Sequence, residues 1–291
     1  MFCADTALTH NYAGCVGPGD TDKPYLALFA IYRDNAHYFP EWIEFHRLVG
    51  VERFFLYDNL SQDDHLEVLA PYIESGLVVH HEWPMFPGQL QAHADCVERH
   101  RDDARWIAFL DQDEFLFSPT GRPLPEILAG FEEHPGVVVN SLAYGTSGHL
   151  TPQPGLLIEN YVRRTDRPVR NRIVKSIVDP RRVIRPGNTP HSFRYVDRTW
   201  AVTENGEEIR GDLTETVSCR LLQVNHYITK SQAERDAKLK TRIPFSGEPR
   251  KVKGVVDRDA TLNAKLDDRI ATLYAAQVRE ALGMPAQAQT A

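Results

Sequence analysis

Apolar runs alternate with amphipathic stretches along the first half of the chain, and this alternation predicts β-strands separated by α-helices. The runs that predict strands lie at residues 25–32, 51–57, 77–81 and 106–117. The stretches with helical spacing lie between them: the first is opened by Pro40, the second is stopped by Gly76, and the third covers residues 89–101. Four strands joined by three helices within about 90 residues predict an α/β fold with a mostly parallel, doubly wound sheet.

The second half is less regular. Residues 136–143 predict one more strand, which is followed by a glycine-rich turn and a segment of short strands and loops. Helical spacing returns at 124–131, 231–241 and 259–282. The last of these carries an apolar stripe formed by Leu262, Leu266, Ile270, Leu273 and Val278. We expect that stripe to pack against the sheet layer, with a partner or a membrane surface as the alternative.

Composition places the chain among ordinary globular proteins. It has 291 residues, of which 42% are hydrophobic and 25% are charged. The longest apolar stretch is far shorter than the roughly 18 residues that span a bilayer, so we expect no transmembrane segment. The cysteines Cys3, Cys15, Cys96 and Cys219 form no CxxC pair, which favours a reducing, cytoplasmic location over a disulfide framework.

Charge is distributed unevenly. The formal net charge of −7 argues against a nucleic-acid-binding protein. Residues 161–200 nevertheless carry eleven Lys or Arg against three Asp, a local balance of +8. This segment predicts contact with an anionic group, and the alternative is a solvated basic face.

The sequence WIAFLDQDEF at 106–115 places Asp111, Asp113 and Glu114 at the end of an apolar strand. Ligands of parallel α/β sheets bind beyond the carboxyl ends of the strands. If the strand continues through this motif, Asp111 and Asp113 share one of its faces. Two adjacent carboxylates repel each other unless a cation lies between them, which predicts a Mg²⁺ or Mn²⁺ site that can bridge to a diphosphate. The alternative is that the acids cap the next element.

Residues 31–64, which include RDN after the first strand, an EW…H…G helix and YDN-S-D, resemble the opening of glycosyltransferase family 92 and its bacterial relatives. The resemblance continues in order through PGQLQAHADCVERHR, WIAFLDQDEF, NSLAYGTSGH, KSIVDP…HSF and VNHYITKS, to about residue 240. It implies a GT-A fold, similar to family 2, with a divalent metal. It also implies a nucleotide-sugar-binding half at 23–135 and an acceptor- and diphosphate-binding half at 136–242. Residues 1–22 are rich in Gly, Thr and Asp without periodicity and predict a loose segment, and the pattern at 243–291 predicts a C-terminal helical appendage and tail.

The resemblance also implies roles for individual residues. Those implied for nucleotide binding are Arg33, Asp34, Asp58, Asn59, Asp63 and Asp111. Those implied for the metal are Asp111, Asp113 and His226, and those for the diphosphate are Arg172, Lys175, His191 and Lys230. The small-residue loop expected near the donor sugar or acceptor contains Gly145, Ser147 and Gly148. The acids that could serve as the catalytic base are Glu114, Asp179, Asp212 and Glu215.

The function implied is transfer of a hexose from a nucleotide sugar, expected to be UDP-linked, to a sugar or lipid-linked acceptor. Inversion is expected, and a retaining mechanism stays open. A lipid-linked acceptor would bring the protein to the inner face of a membrane as a peripheral protein. Asn35 and Ser141 depart from the family pattern. They leave a catalytically silent sugar-nucleotide or glycan-binding module as one alternative, and the carboxylate pair leaves a metal-dependent phosphohydrolase as another.

Overall fold

The structure is a computed structural model that describes residues 23–241 and 258–286. The segment predicted to be loose at 1–22 lies outside these residues, and so does most of the predicted tail. Across the described ranges, no helix combines the length and the apolar character that crossing a membrane requires.

The first half forms the predicted parallel sheet. Its strands are β1 (Leu26–Tyr32), β2 (Arg53–Asp58), β3 (Val78–Glu82) and β4 (Trp106–Phe109), and its helices are α1 (Phe39–Leu48), α2 (His65–Glu74) and α3 (Gln89–Arg99). The four strands are parallel, in the spatial order β4-β1-β2-β3. Pro40 lies in the first turn of α1, as the sequence predicts. Gly50 follows that helix at φ +105°, where a Cβ atom would lie 2.5 Å from the ring of Pro125.

The second half extends the sheet with shorter elements. The strands are β5 (Glu114–Phe117), β6 (Gly136–Ala143), β7 (Arg163–Arg164), β8 (Val174–Val178), β9 (Val183–Pro186), β10 (Phe193–Tyr195), β11 (Ala201–Val202), β12 (Glu208–Ile209), β13 (Gln223–His226) and β14 (Lys265–Leu266). The helices are α4 (Leu124–Leu128), α5 (Leu157–Asn160), α6 (Pro168–Asn171), α7 (Gln232–Thr241), α8 (Arg258–Leu262) and α9 (Arg269–Ala281). β8 runs antiparallel beside β4, and β6, β11 and β12 follow it. β13 lies between β5 and β6. The result is the mixed α/β architecture with C-terminal helices that the sequence predicts.

The strand predicted at 106–117 is interrupted. β4 ends at Phe109, and the N–H of Glu114 donates to the carbonyl of Asp111 across a turn at 3.0 Å. β5 then pairs antiparallel with β13 instead of continuing beside β1. The prediction that Asp111 and Asp113 alternate along one strand is therefore wrong. The apolar residues on both sides of the turn are equally buried, so the pattern alone gave no sign of the interruption.

The prediction of a single helix at 259–282 is also wrong. The structure has α8, the short strand β14 and then α9, and Leu266 of the predicted stripe is 54% exposed. β14 pairs with β7, and the N–H of Asp267 donates to the carbonyl of Val162 at 2.7 Å. These contacts with a distant strand override the helical spacing. Ile270 and Val278 are buried in α9, as the rest of the stripe predicts.

Helix α1 fixes the part of the chain that follows the interrupted strand. The indole N–H of Trp42 donates to the carbonyl of Glu114 at 2.8 Å. The imidazole Nε2 of His46 accepts the N–H of Leu116 at 3.1 Å. All four residues are fully buried. The core therefore holds the start of β5, and with it the Glu114 backbone, in a defined position.

Candidate active site

Ionisable side chains from three separate parts of the chain meet at the carboxyl end of β4. Asp111 and Asp113 lie in the turn after that strand, and Glu114 begins β5. Lys175 comes from β8, which lies beside β4, and His226 comes from β13, which lies beside β5. The sheet topology thus brings together all five of these residues predicted from the sequence.

Lys175 joins two of the carboxylates. Its ammonium lies 2.6 Å from Asp111 Oδ2 and 2.7 Å from Glu114 Oε2, and its side chain is 4% exposed. Burial lowers the pKa of Lys175, but the two carboxylates outweigh burial and raise it. Burial raises the pKa of Asp111, and Lys175 outweighs that effect and lowers it to about 2. Lys175 and Asp111 are therefore both charged near neutral pH.

Asp113 has two different neighbours. The ammonium of Lys238, from α7, lies 2.5 Å from Asp113 Oδ2, and the imidazole Nε2 of His226 lies 3.5 Å from Oδ1. Burial opposes ionisation of Asp113, but Lys238 and His226 outweigh it and hold its pKa well below the ordinary value. Burial lowers the pKa of His226 to about 4, so the imidazole is neutral at pH 7.

Glu114 is fully buried between these groups. Its Oε2 atom accepts the N–H of Asp111 at 2.9 Å as well as contacting Lys175. Its Oε1 atom lies 3.3 Å from His226 Nδ1 and, among the described residues, has no hydrogen-bond partner. Burial raises the pKa of Glu114 to about 8. Glu114 therefore has one oxygen that the surrounding protein leaves unsatisfied.

The donor chemistry of this cluster suits a hard divalent cation. Carboxylates and a neutral imidazole are acceptable ligands of Mn²⁺, and the unsatisfied oxygen of Glu114 lies next to that imidazole. Within the described ranges, no group of three or more His, Cys, Asp or Glu side chains has the spacing of a finished metal centre. Asp111 and Asp113 instead contact Lys175 and Lys238. The chemistry of the residues fits the metal, and the site itself stays a prediction.

The side chains predicted for the nucleoside gather at the ends of β1 and β2. Arg33 donates from Nε to the Asn59 carbonyl at 2.5 Å and from a terminal nitrogen to Asn59 Oδ1 at 3.0 Å. Its guanidinium also lies 5.6 Å from the ring centre of Phe86, which is 45% exposed. Asp34 Oδ1 accepts the N–H of Gln62 at 2.7 Å. The structure therefore brings these residues together at an edge that presents an exposed aromatic ring.

The remaining two acids of this edge accept hydrogen bonds from backbone N–H groups of the two loops. Asp58 Oδ1 accepts the N–H of Ser61 at 2.9 Å, and Asp63 Oδ2 accepts the N–H of Ala36 at 2.8 Å. His65 lies 3.6 Å from Asp58 and 3.3 Å from Asp63. These contacts fix the shape of the two loops, because the Asp58 contact closes a turn and the Asp63 contact joins the loop after β2 to the loop after β1.

The predicted small-residue loop follows β6, which pairs with β13 next to His226. The N–H of Gly145 donates to the carbonyl of Arg163 at 2.9 Å, and the N–H of Ser147 donates to Asn263 Oδ1 at 2.8 Å. A Cβ atom on Gly145 would lie 2.3 Å from that same Asn263 oxygen. Gly148 has φ +89°. The loop thus requires glycine at 145 because a side chain would clash with Asn263, and it favours glycine at 148 because the backbone there has a positive φ.

Lys230 is the third ammonium near the carboxylates. It follows β13 with φ +49°, and its Nζ lies 3.6 Å from the ring centre of Tyr38. Burial lowers its pKa to about 8, against the opposing effect of Asp113. The charge of Lys230 thus interacts with those of Asp113 and Lys238.

Arg172 and His191 flank β8 at the same edge. Arg172 Nε donates to the Thr214 carbonyl. The His191 carbonyl accepts from the Ser176 hydroxyl at 2.8 Å, and its imidazole Nδ1 is a buried nitrogen without a partner in the described chain. Burial lowers the pKa of His191 to about 4, and the charges of Lys175, Asp111 and Asp212 also act on it. His191 is therefore close enough to the carboxylate cluster and to Asp212 for the charges of both to act on it.

The acids proposed as the base occupy different environments. Asp212 accepts the Thr189 hydroxyl at 2.9 Å and is partly exposed, and Glu215 is exposed. Asp179 lies at the opposite end of β8, where it pairs with Arg105 at 3.0 Å. That position separates Asp179 from the carboxylate cluster.

Two residues of the site were missed in the sequence. Gln89 donates to Asp111 Oδ1 at 3.3 Å from the first residue of α3, and Lys238 contacts Asp113 from α7. Gln89 lies in the PGQLQAHADCVERHR motif, so the resemblance covered it without assigning it a role. Lys238 is separated from Asp113 by 125 positions, and only the packing of α7 against the site relates them.

The family profile described as "Glycosyltransferase family 92" matches residues 29–263. The chain belongs to glycosyltransferase family 92. A family 92 protein of Ricinus communis is 31% identical over 191 residues, covering 60% of this chain and 34% of the relative. Galactan beta-1,4-galactosyltransferase GALS2 of Arabidopsis thaliana is 29% identical over 50% of this chain and 31% of its own length. Beta-1,4-galactosyltransferase galt-1 of Caenorhabditis elegans is 24% identical over 68% of this chain and 46% of its own.

The matched part of this family 92 chain therefore spans 31% to 46% of the length of these relatives. Among solved structures, Staphylococcus aureus TarS 1–349 in complex with UDP aligns with a TM-score of 0.37 and 14% identity. That alignment covers 54% of this chain and 47% of TarS 1–349.

Proposed function

We propose that this family 92 protein transfers a hexose from a UDP-linked sugar to a hydroxyl group of a glycan or a lipid-linked acceptor, with inversion. The observation that supports this most is the meeting of Asp111, Asp113, Glu114, Lys175 and His226 at the carboxyl end of β4, where α/β sheets bind ligands. Two relatives are named galactosyltransferases, so galactose is the hexose to test first.

The charges of the site suit a nucleoside diphosphate. Asp111, Asp113 and His226 would hold Mn²⁺ or Mg²⁺, which would stabilise the negative charge of the departing diphosphate. Lys175 and Lys230 would act on the same charge, because both ammonium groups lie near the carboxylates. Binding of the cation would compete with Lys238 for Asp113.

Asp212 is the acid we favour as the base that accepts the acceptor proton. Glu114 is 0% exposed and is occupied by Lys175 and the Asp111 N–H, so it holds the cluster in shape. Asp212 is partly exposed, is oriented by the Thr189 hydroxyl, and lines a cavity that an acceptor could enter. The charges of Asp212 and Asp111 both act on the pKa of His191.

Cooperative binding of UDP and Mn²⁺ tests the proposal, because the carboxylates repel a diphosphate unless a cation intervenes. A ligand at about 100 times its dissociation constant stabilises a protein by about 2.7 kcal/mol. For a chain of this size we expect the pair to raise the unfolding midpoint by roughly 4 to 10 °C. UDP with a chelator, or Mn²⁺ alone, should raise it much less. Additive shifts would contradict a metal-bridged site, and a larger shift with GDP or ADP would contradict the UDP assignment.

Turnover with Asp113→Asn provides the second test. The variant preserves the shape of the side chain and removes its charge, so we expect Mn²⁺-dependent transfer to fall by at least ~100-fold. Asp102→Asn changes an exposed aspartate and is the control. Circular dichroism verifies that both variants fold. Activity of Asp113→Asn within a few-fold of the parent, or release of free sugar without an acceptor product, would refute the proposed transfer reaction.

A further inference from the structure

A small cavity lies on the sheet face covered by β9 and β10. Its volume is about 150 Å³, and its lining includes Ser176, Thr189, Arg194, Trp200, Arg210 and Asp212. A cavity of about this volume holds one six-membered ring. The cavity is therefore suited to a single sugar unit.

Two guanidinium groups contact the same indole in this lining. The guanidinium carbon of Arg194 lies 5.6 Å from the ring centre of Trp200, and that of Arg210 lies 5.2 Å from it. Cation–π contacts of this kind orient the guanidinium groups and leave their N–H groups free to donate. Within the residues that the structure describes, neither arginine forms a hydrogen bond or an ion pair through its side chain. Two oriented positive groups thus face a ring-sized space.

The charge balance of the lining favours an anion. Arg194 and Arg210 contribute two positive charges, and Asp212 contributes one negative charge that the Thr189 hydroxyl partly satisfies. Ser176 and Lys175 are consecutive residues of β8, so their side chains lie on opposite faces of the sheet. The Ser176 hydroxyl in the lining donates to the His191 carbonyl, and the charges of Asp111 and Asp212 both act on the His191 imidazole. His191 therefore relates the cavity to Asp111 of the carboxylate cluster.

We propose that the cavity lined by Arg194, Trp200 and Arg210 binds an anionic sugar unit of the acceptor, one that carries a carboxylate or a phosphate. Arginine pairs recognise both groups through two parallel N–H donors. The indole provides an apolar surface beside the ring. Asp212 lies in the same lining, so an acceptor bound by its anionic group presents its hydroxyl groups to the acid that we favour as the base. This inference names the acceptor class and rests on the proposed function.

Tryptophan fluorescence of the full chain, without nucleotide or metal, measures this binding directly. The chain has four tryptophans, of which Trp42 and Trp106 are fully buried in the core. The ligands to titrate are galacturonate, galactose 1-phosphate, neutral galactose and inorganic phosphate. We expect at least one of the two anionic sugars to bind at least tenfold more tightly than either galactose or phosphate. Tighter binding of galacturonate would identify a carboxylate as the recognised group, and tighter binding of galactose 1-phosphate would identify a phosphate. The fluorescence change should vanish in Trp200→Phe.

Variants identify the residues responsible. Arg194→Gln and Arg210→Gln should each weaken binding at least tenfold, as measured by calorimetry. Arg198→Gln should change it less than twofold, because Arg198 is an exposed arginine of the same segment outside the cavity lining. Equal binding of neutral galactose, no binding of either anionic sugar, or equal weakening by Arg198→Gln would each overturn the inference. The sugar titration uses no nucleotide donor and no metal. A negative result in it therefore does not change the UDP and Mn²⁺ test of the proposed function, and a negative result in the UDP and Mn²⁺ test does not change the sugar titration.

Discussion

The ammonium of Lys175 lies 2.6 Å from a carboxylate oxygen of Asp111, although 64 positions separate the two residues along the chain. Lys175 comes from β8, in the irregular half, and Asp111 follows β4 of the regular half. The side chain of Lys175 is 4% exposed, so this contact forms only when β8 is packed beside β4. The charge balance of the candidate site thus depends on the assembly of both halves of the fold.

Lys175→Met should destabilise the protein strongly. The substitution removes the positive charge while leaving Asp111 and the fully buried Glu114 without their shared partner. Removing one partner of a buried ion pair costs about 3–5 kcal/mol, because the remaining charge is uncompensated. Urea unfolding followed by circular dichroism measures the change.

Lys265→Met is the matched control, because Lys265 is an exposed lysine on β14. We expect its free energy of unfolding to change by less than about 0.5 kcal/mol. Adding Asp111→Asn to Lys175→Met should recover part of the loss, because it removes one of the two unpaired acids. A loss of less than 1 kcal/mol in Lys175→Met would contradict the buried ion pair.

His226→Ala should weaken UDP binding more in the presence of Mn²⁺ than in its absence. The imidazole is neutral at pH 7, because burial lowers its pKa to about 4, and its Nε2 lies 3.5 Å from Asp113. If the imidazole is a ligand, its removal should reduce the Mn²⁺-dependent part of the affinity by about tenfold or more. Calorimetry with and without a chelator separates the two parts. Equal weakening in both conditions would make His226 a packing residue. His134→Ala is the control, because His134 precedes β6 at the end opposite to Ala143, which pairs with His226.

The regular half of the fold could be predicted because local signals and tertiary packing agree there. Pro40 opens α1 and Gly76 follows α2, and the buried strands between them are continuous apolar runs. The interruption at Asp111 could not be predicted in the same way. It depends on the pairing of β5 with β13, which lies about a hundred residues later, and the apolar spacing of Phe115 and Phe117 fits either arrangement.

The candidate site likewise could be predicted only in part. The carboxylates and His226 were identified through motifs that resemble a family, and the sheet topology brings them together. Their neutralising partners were only partly identified. Lys175 was assigned to a diphosphate and not to Asp111, and Lys238 was assigned no role, because spacing along the chain carries no information on contacts between distant helices and strands.

Glu41→Gln should change the pH dependence of stability. Glu41 is 7% exposed and accepts the N–H groups of Leu157 and Ile158 at 2.7 and 3.0 Å. Burial raises its pKa from 4.5 to about 7, against the opposing effect of these two hydrogen bonds. Because the folded state binds this proton more tightly than the unfolded state, the stability from this proton is present below pH 4.5 and is lost as pH rises through about 7.

Each pKa unit corresponds to about 1.4 kcal/mol, so the parent should lose about 3 kcal/mol from this group between pH 4.5 and pH 8. The variant lacks the titrating group and should have a flatter profile across that window. Urea midpoints at several pH values measure both profiles. Glu67→Gln, which removes an exposed carboxyl from α2, is the control for the substitution itself. Parallel profiles for the parent and Glu41→Gln would contradict the raised pKa.

Gly145→Ala should disturb the loop beside His226 through a steric clash. The added Cβ would lie 2.3 Å from Asn263 Oδ1 and 2.9 Å from the backbone carbon of Leu262. The side-chain amide can move, but the backbone carbon cannot move without displacing the end of α8. We expect a loss of about 1–3 kcal/mol, as for other overpacking substitutions. Gly130→Ala is the control, because no atom lies within 4 Å of the added Cβ there. Asn263→Ala removes the acceptor of the Ser147 N–H, so the effect of Gly145→Ala is also measured in that background, where the Leu262 contact remains and we expect a smaller loss than in the parent. The absence of any loss in that background would assign the clash to the amide alone, and no loss in Gly145→Ala of the parent would contradict the close approach of this loop to Leu262.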